Sequence, residues 1–188
     1  MRTLAQRLDS GTATLYRHFT GRADLIAHVV DLVFGSVELE TTKLSAMTWQ
    51  EAGKAAAHSM FDALRSRPNV AALLAEGVPI GPNAMAARET LIAILLDNGF
   101  PPALAALSYA TLARYILGFA IQLPNPRGGN DAGLAQVFQN LDPGQFPATV
   151  KVADGLPVPL EDEFAFGLEL IIAGLTQQLP RKAKRRSR

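Results

Sequence analysis

The sequence predicts an all-α fold, and three observations carry that expectation. Ala and Leu abound while aromatic residues make up only 7% of the 188 residues, a balance that favours helices over sheets. Apolar positions recur at the i, i+3, i+4 spacing of one helix face in segment after segment. No run with strand alternation reaches a convincing length. A hydrophobic share of 48% is enough to bury a core in one domain, or in a large domain with a small one. Cysteine is absent, which excludes disulfides, thiolate metal sites and cysteine nucleophiles and fits a cytoplasmic protein. The apolar runs are short and interrupted, so no membrane span is expected. The N-terminus lacks the long apolar stretch of a signal peptide.

The elements follow in order. Residues 3–9 form a short helix with Leu4 and Leu8 on one face and Ala5 beside them. Ser10-Gly11 breaks it, and a second short helix over 12–19 places Leu15 and Phe19 at i, i+4. Thr20-Gly21 is a second break, after which a long helix over 22–40 carries Leu25, Ile26, Val29, Val30, Val33, Phe34 and Val37 as its apolar stripe. Thr48 and Glu51 read as a capping box. The helix they open carries Met60, Phe61 and Leu64 and stops before Pro68, which itself suits the first position of a shorter helix with Val70, Leu73 and Leu74. Residues 77–82, rich in Gly and Pro, are a loop. A helix over 83–98 is closed by Gly99, and Pro101-Pro102 opens a long apolar helix to about Leu123. Residues 124–159 are rich in Pro, Gly, Asn and Asp and read as a loop with one embedded helix over 132–141. The last helix, 160–179, is apolar on nearly all sides, so it must be buried against something.

Charge is uneven. Residues 1–22 hold Arg2, Arg7, Arg17 and Arg22 against the single acid Asp9. The last eight residues hold six basic groups and no acid, while the stretch between carries twice as many acids as bases. A basic head on an acidic body implies that the head meets an anion. The basic tail reads as a solvated, disordered end or as an arm on DNA.

Two short helices joined by a tight turn are the core of a helix-turn-helix, whose second helix lies in the major groove. With Leu15 and Phe19 turned inward, Thr12, Ala13, Thr14, Tyr16, Arg17 and His18 are left on the outer surface. Hydroxyls there can bond phosphates or base edges, the methyl groups can touch thymine, and Arg17 can grip a phosphate or a guanine. Arg22 opens the next helix, where free N–H groups and the helix dipole also attract phosphate.

The segments Leu4-Ala-Gln-Arg-Leu8, Thr14-Leu15-Tyr16-Arg17-His18-Phe19 and Arg22 with Leu25 closely resemble the signature of the tetracycline-repressor (TetR) family of transcriptional regulators. The resemblance implies that residues 12–18 form the recognition helix and that Thr12, Ala13, Thr14, Tyr16, Arg17, His18 and Arg22 contact double-stranded operator DNA. Two departures stand out. The family has Gly and an apolar residue in the turn where this chain has Asp9 and Ser10, and its head has three helices, of which this chain is expected to lack the first. The body resembles the C-terminal domain of tetracycline repressors, most strongly over 164–179. That resemblance implies a homodimer whose interface is a four-helix arrangement built from Leu112, Tyr115, Phe119, Phe164, Leu168, Ile171, Ile172 and Leu175. Gly167 and Gly174, seven apart, permit close helix approach either across that interface or inside the chain.

The resemblance also implies a small organic effector held by the body, at positions mapping to Glu38, Met60, Ile92, Tyr109 and Gln122. Gln122 stands where drug–magnesium-binding members have a carboxylate, and no His lies near residues 75–81, so neither a metal nor any other cofactor is expected. The expected organisation is a head with its connecting helix over 1–40, an effector-binding and dimerisation domain over 41–180, and a basic disordered tail over 181–188. An enzyme is not expected: His18, His28 and His58 lack zinc spacing and no nucleophile-elbow motif occurs. Two functions stay open, a repressor released by its effector and a dimeric ligand-binding module that does not bind DNA in this truncated form.

Overall fold

The structure is a computed structural model that describes residues 1–37, 41–74, 77–123 and 131–179. Every regular element among the described residues is helical. Helix α1 (Arg2–Arg7), α2 (Thr12–His18) and α3 (Arg22–Gly35) form the head and its connecting helix. Then follow α4 (Thr41–Ser45), α5 (Trp49–Arg65), α6 (Pro68–Leu74), α7 (Pro82–Asp97) and α8 (Pro102–Ala120). The chain closes with α9 (Asp131–Gln139), α10 (Pro147–Val152), a 3-10 turn at Ala153–Gly155, and α11 (Leu160–Gln178).

Local chemistry accounts for the boundaries. The Thr48 side chain accepts from the Glu51 N–H at 3.3 Å, and the Glu51 carboxylate accepts from the Thr48 N–H at 2.9 Å, so both halves of the capping box are made. These bonds hold the exposed Glu51 carboxyl below the ordinary range, with the Thr48 backbone N–H as the main cause. Proline opens α7, α8 and α10, where its missing N–H costs nothing. Gly99, at φ +88°, supplies the left-handed residue after α7.

Three expectations are revised. The connecting helix ends at Gly35, with Ser36 as its cap, instead of running to residue 40. The short α4 and α10 were not foreseen: five or six residues offer too few turns for a periodic stripe, and the Pro and Gly around α10 read as loop. Finally, α8 is by length and composition long and apolar enough to cross a bilayer, although no span was expected. It packs instead against α5, α6, α7 and α11.

The core lies between α5, α7, α8 and α11. Phe164 of α11 sits at its centre, stacked on Phe61 at 4.3 Å between ring centroids and flanked by Tyr115, Phe119 and His58 at 5.4–5.5 Å. Three residues expected at the dimer interface lie in this core. Phe164, Leu168 and Ile172 are all nearly inaccessible within the protomer, because positions 164, 168 and 172 repeat every four residues on the stripe that faces α5 and α8. The apolar side chains that α11 turns outward are Phe166 and Leu170, 68% and 58% exposed. Leu112, Tyr115, Phe119 and Leu175 are half-buried and pack against the same core, and Ile171 is also half-buried. Burial, and secondarily the charge of Glu163, push the Tyr115 phenol above its ordinary pKa, while its hydroxyl donates to the Phe164 carbonyl at 2.7 Å.

Candidate functional site

The head is small and built around two buried side chains. Ala5 of α1 and Leu15 of α2 are 2% and 8% exposed and lock the helices together. The turn between them is closed by the Ser10 N–H donating to the Ala5 carbonyl at 2.9 Å. Asp9 adopts φ +48°, the left-handed conformation that Asp tolerates better than most residues, so it fills the position that Gly serves elsewhere. With Leu15 inside, Ala13, Tyr16, Arg17 and His18 are exposed and Thr12 and Thr14 half-buried. Arg22 is exposed at the start of α3. Phe19 ties α2 to α3 by an edge contact with His28 at 5.4 Å. Asp24 secures the start of α3 by accepting from the Thr20 N–H at 2.8 Å. That bond is the chief reason its carboxyl lies below the ordinary range.

A cavity of about 620 Å³ opens between α5, α7 and α8. This lies within the range of roughly 300–1,000 Å³ typical of small-molecule sites. Of the five expected effector positions, Met60, Ile92 and Tyr109 line it. Gln122 does not; its exposed side chain turns back on its own helix and donates to the Gly118 carbonyl at 3.2 Å. Glu38 and the tail 181–188 lie outside the described residues. Sequence reasoning missed Arg88, the charged group on the α7 wall. Its Nε donates to the Tyr109 hydroxyl at 3.3 Å and an Nη to the Pro79 carbonyl at 2.9 Å. The signal was present: Arg88 sits between Ala84 and Ile92 at i, i+4 spacing, a charge in line with apolar cavity-lining positions. Among the described residues, no three His, Cys, Asp or Glu side chains cluster as metal ligands do.

Sequence reasoning also missed the joint between head and cavity. Asp31 of α3 is only 8% exposed. Its carboxylate accepts from the backbone N–H of Ala84 at 2.9 Å, the N–H of Asn83 at 3.3 Å and the Asn83 side-chain amide at 3.0 Å. Those N–H groups belong to the first turn of α7, where they have no partner within the helix. The connecting helix thus supplies the N-terminal cap of the helix that walls the cavity. Gly81 makes this possible, since a Cβ there would collide with the Asp31 carboxylate. A solitary Asp inside an apolar stripe, at 31 among Val29, Val30 and Val33, was the available signal.

Residues 42–179 match the family described as tetracyclin repressor-like, C-terminal domain. The chain is 32% identical over 118 residues to an HTH-type transcriptional regulator of Saccharopolyspora erythraea, which covers 63% of this chain and 49% of that protein. It therefore spans about half the length of that curated relative. It is 26% identical over 186 residues to the HTH-type transcriptional repressor DrrR1 of Streptomyces coeruleorubidus, covering 93% of this chain and 68% of the repressor. Among solved structures, the TetR family protein ActR of Streptomyces coelicolor, in complex with actinorhodin, superposes with a TM-score of 0.81 at 30% identity, covering 95% of this chain and 87% of that one.

Proposed function

Because the chain belongs to the tetracycline-repressor-like family, we propose that it is a DNA-binding transcriptional regulator, a repressor released from its operator by a small organic effector. The observation that carries this reading is the Asp31 cap. One helix, α7, walls the cavity, and its first turn is held by a carboxylate on the helix that follows the recognition helix. A ligand that shifts α7 displaces Asp31 and with it α3, and so changes the spacing of two recognition helices in a dimer. The likeness to ActR, solved in complex with actinorhodin, supports an organic ligand for this chain as well. The names of the curated relatives support the regulatory role, and a cytoplasmic, non-enzymatic protein is the reading that goes with it.

The dimer uses the outward face of α11, with Phe166 and Leu170, beside the outward face of α8, with Leu107 and, just past its end, Ile121. Two heads then meet successive major grooves about one helical turn apart on a two-fold operator. A second reading, a ligand-binding dimer whose head does not grip DNA, is favoured by Leu8. That side chain is 58% exposed, leaving Ala5 and Leu15 as the buried apolar contacts of the first two helices.

Fluorescence-anisotropy titration against the intergenic DNA upstream of its own gene separates the two. The repressor reading expects binding to that DNA well above binding to random duplex of equal length, with a steep loss of affinity as salt rises. A thermal-shift screen of planar organic compounds then finds effectors. One present at 100 times its dissociation constant stabilises the protein by about 2.7 kcal/mol. Linkage requires that such a compound weaken DNA binding by the same factor by which DNA weakens its own binding. Equal affinity for operator and random DNA favours the second reading.

A further inference from the structure

From the charges on the cavity wall, and resting on the reading of that cavity as an effector site, we infer that the effector is an acid: a largely apolar molecule whose carboxylate is received by Arg88. Among the described residues the wall carries two cations, Arg88 and Arg114, and no carboxylate. Arg114 is exposed and donates to the Ala110 carbonyl of its own helix. Arg88 is half-buried, and its partners among the described residues are neutral: the Tyr109 hydroxyl, the Pro79 carbonyl and the Met85 sulfur. Its guanidinium also stands 5.7 Å from the centre of the Tyr109 ring.

A guanidinium is charged at any physiological pH and offers five N–H donors. Three of these meet uncharged acceptors here, which satisfies hydrogen bonding but sets no counter-charge beside the positive charge among the described residues. In a wall of Leu, Ile, Ala and Trp side chains such a charge is costly, and an anion entering the cavity relieves that cost. The carboxylate is the fitting group because its two oxygens match the guanidinium fork, and charge-assisted bonds of this kind are about twice as strong as neutral ones. The existing contacts fix the fork: Tyr109 and Pro79 hold Nε and one Nη, so the group is oriented before a ligand arrives. A purely structural bracket to the 77–81 loop would need only a neutral donor such as Gln.

The test uses isothermal titration of the full chain with a panel of bi- and tricyclic aromatic carboxylic acids, each paired with its methyl ester. The expected result is that acids bind at least about tenfold more tightly than their esters, a difference of about 1.4 kcal/mol. In Arg88→Met the ratio falls to near one while ester affinity is kept, and in Arg88→Lys most of the preference survives. Should the Met variant lose its helical circular dichroism, Arg88→Gln, which retains a donor for the Pro79 carbonyl, gives the same reading. Esters binding as well as acids to the unmodified chain would overturn the inference and leave the cavity reading standing. A preference that persists in Arg88→Met and Arg88→Gln would remove Arg88 from the role. If no acid and no ester binds, the cavity reading itself falls.

Discussion

At position 167 the chain has glycine because Tyr115 occupies the space that a methyl group would need. A Cβ there would strike the tyrosine hydroxyl and lie 3.0 Å from its ring carbon Cζ. The tyrosine cannot yield, since its hydroxyl is bonded to the Phe164 carbonyl and its ring packs on Phe119 and Phe164. Gly167→Ala is therefore expected to destabilise the protein by about 1–3 kcal/mol, the usual cost of overpacking, despite alanine's better helix propensity. A urea unfolding curve checks this, and an unchanged or raised midpoint would show that α8 and α11 can separate freely. Gly174, which pairs with Gly167 at heptad spacing in the sequence, has nothing within 4 Å of the same built atom. Sequence spacing alone could not divide the two roles, because it records that small residues recur and not which helix face they lie on. Asp9 was more legible: a residue tolerant of positive φ where a tight turn is needed declares its backbone.

At the scale of elements, the capping box, the proline starts and the long amphipathic stripes were readable because each is a local pattern. The Asp31–Gly81–Asn83 joint was not, because its partners are some fifty residues apart and neither half is a motif by itself. Its consequence can be measured. Replacing Asp31 by Ala removes the cap of α7 and is expected to cost about 1 kcal/mol of stability, in the range of lost N-caps. The more telling effect is on communication. DNA affinity without effector should change little, since Asp31 lies away from the recognition face, while the effector's power to release DNA should fall. Residues along a coupling route typically change it by about 0.5–2 kcal/mol. Measuring effector affinity with and without operator gives that coupling directly. If Asp31→Ala loses stability but keeps the full coupling, α7 and α3 communicate through their apolar packing and not through the cap.

At the scale of the molecule, the all-apolar last helix predicts that α11 is covered on every side; the protomer buries one stripe and leaves Phe166 and Leu170 exposed, a division that the sequence could not give. Phe164, Leu168 and Ile172 belong to the protomer core, so the two halves of α11 make opposite predictions. Leu168→Ala, which opens a cavity beside Phe164, is expected to lower protomer stability by about 2–5 kcal/mol. Phe166→Glu with Leu170→Glu, on the exposed side, should leave the helical fold intact and abolish association. Sedimentation velocity would then find a species near the 20.1 kDa chain mass where the unmodified protein gives twice that. Such a monomer keeps one recognition helix and loses the gain from engaging two half-sites at once. Operator affinity should fall by roughly 10²-fold or more, with each single head's contacts unchanged. A double variant that still sediments as a dimer would move the interface off α11, and the spacing of the two heads would have to be set by another surface.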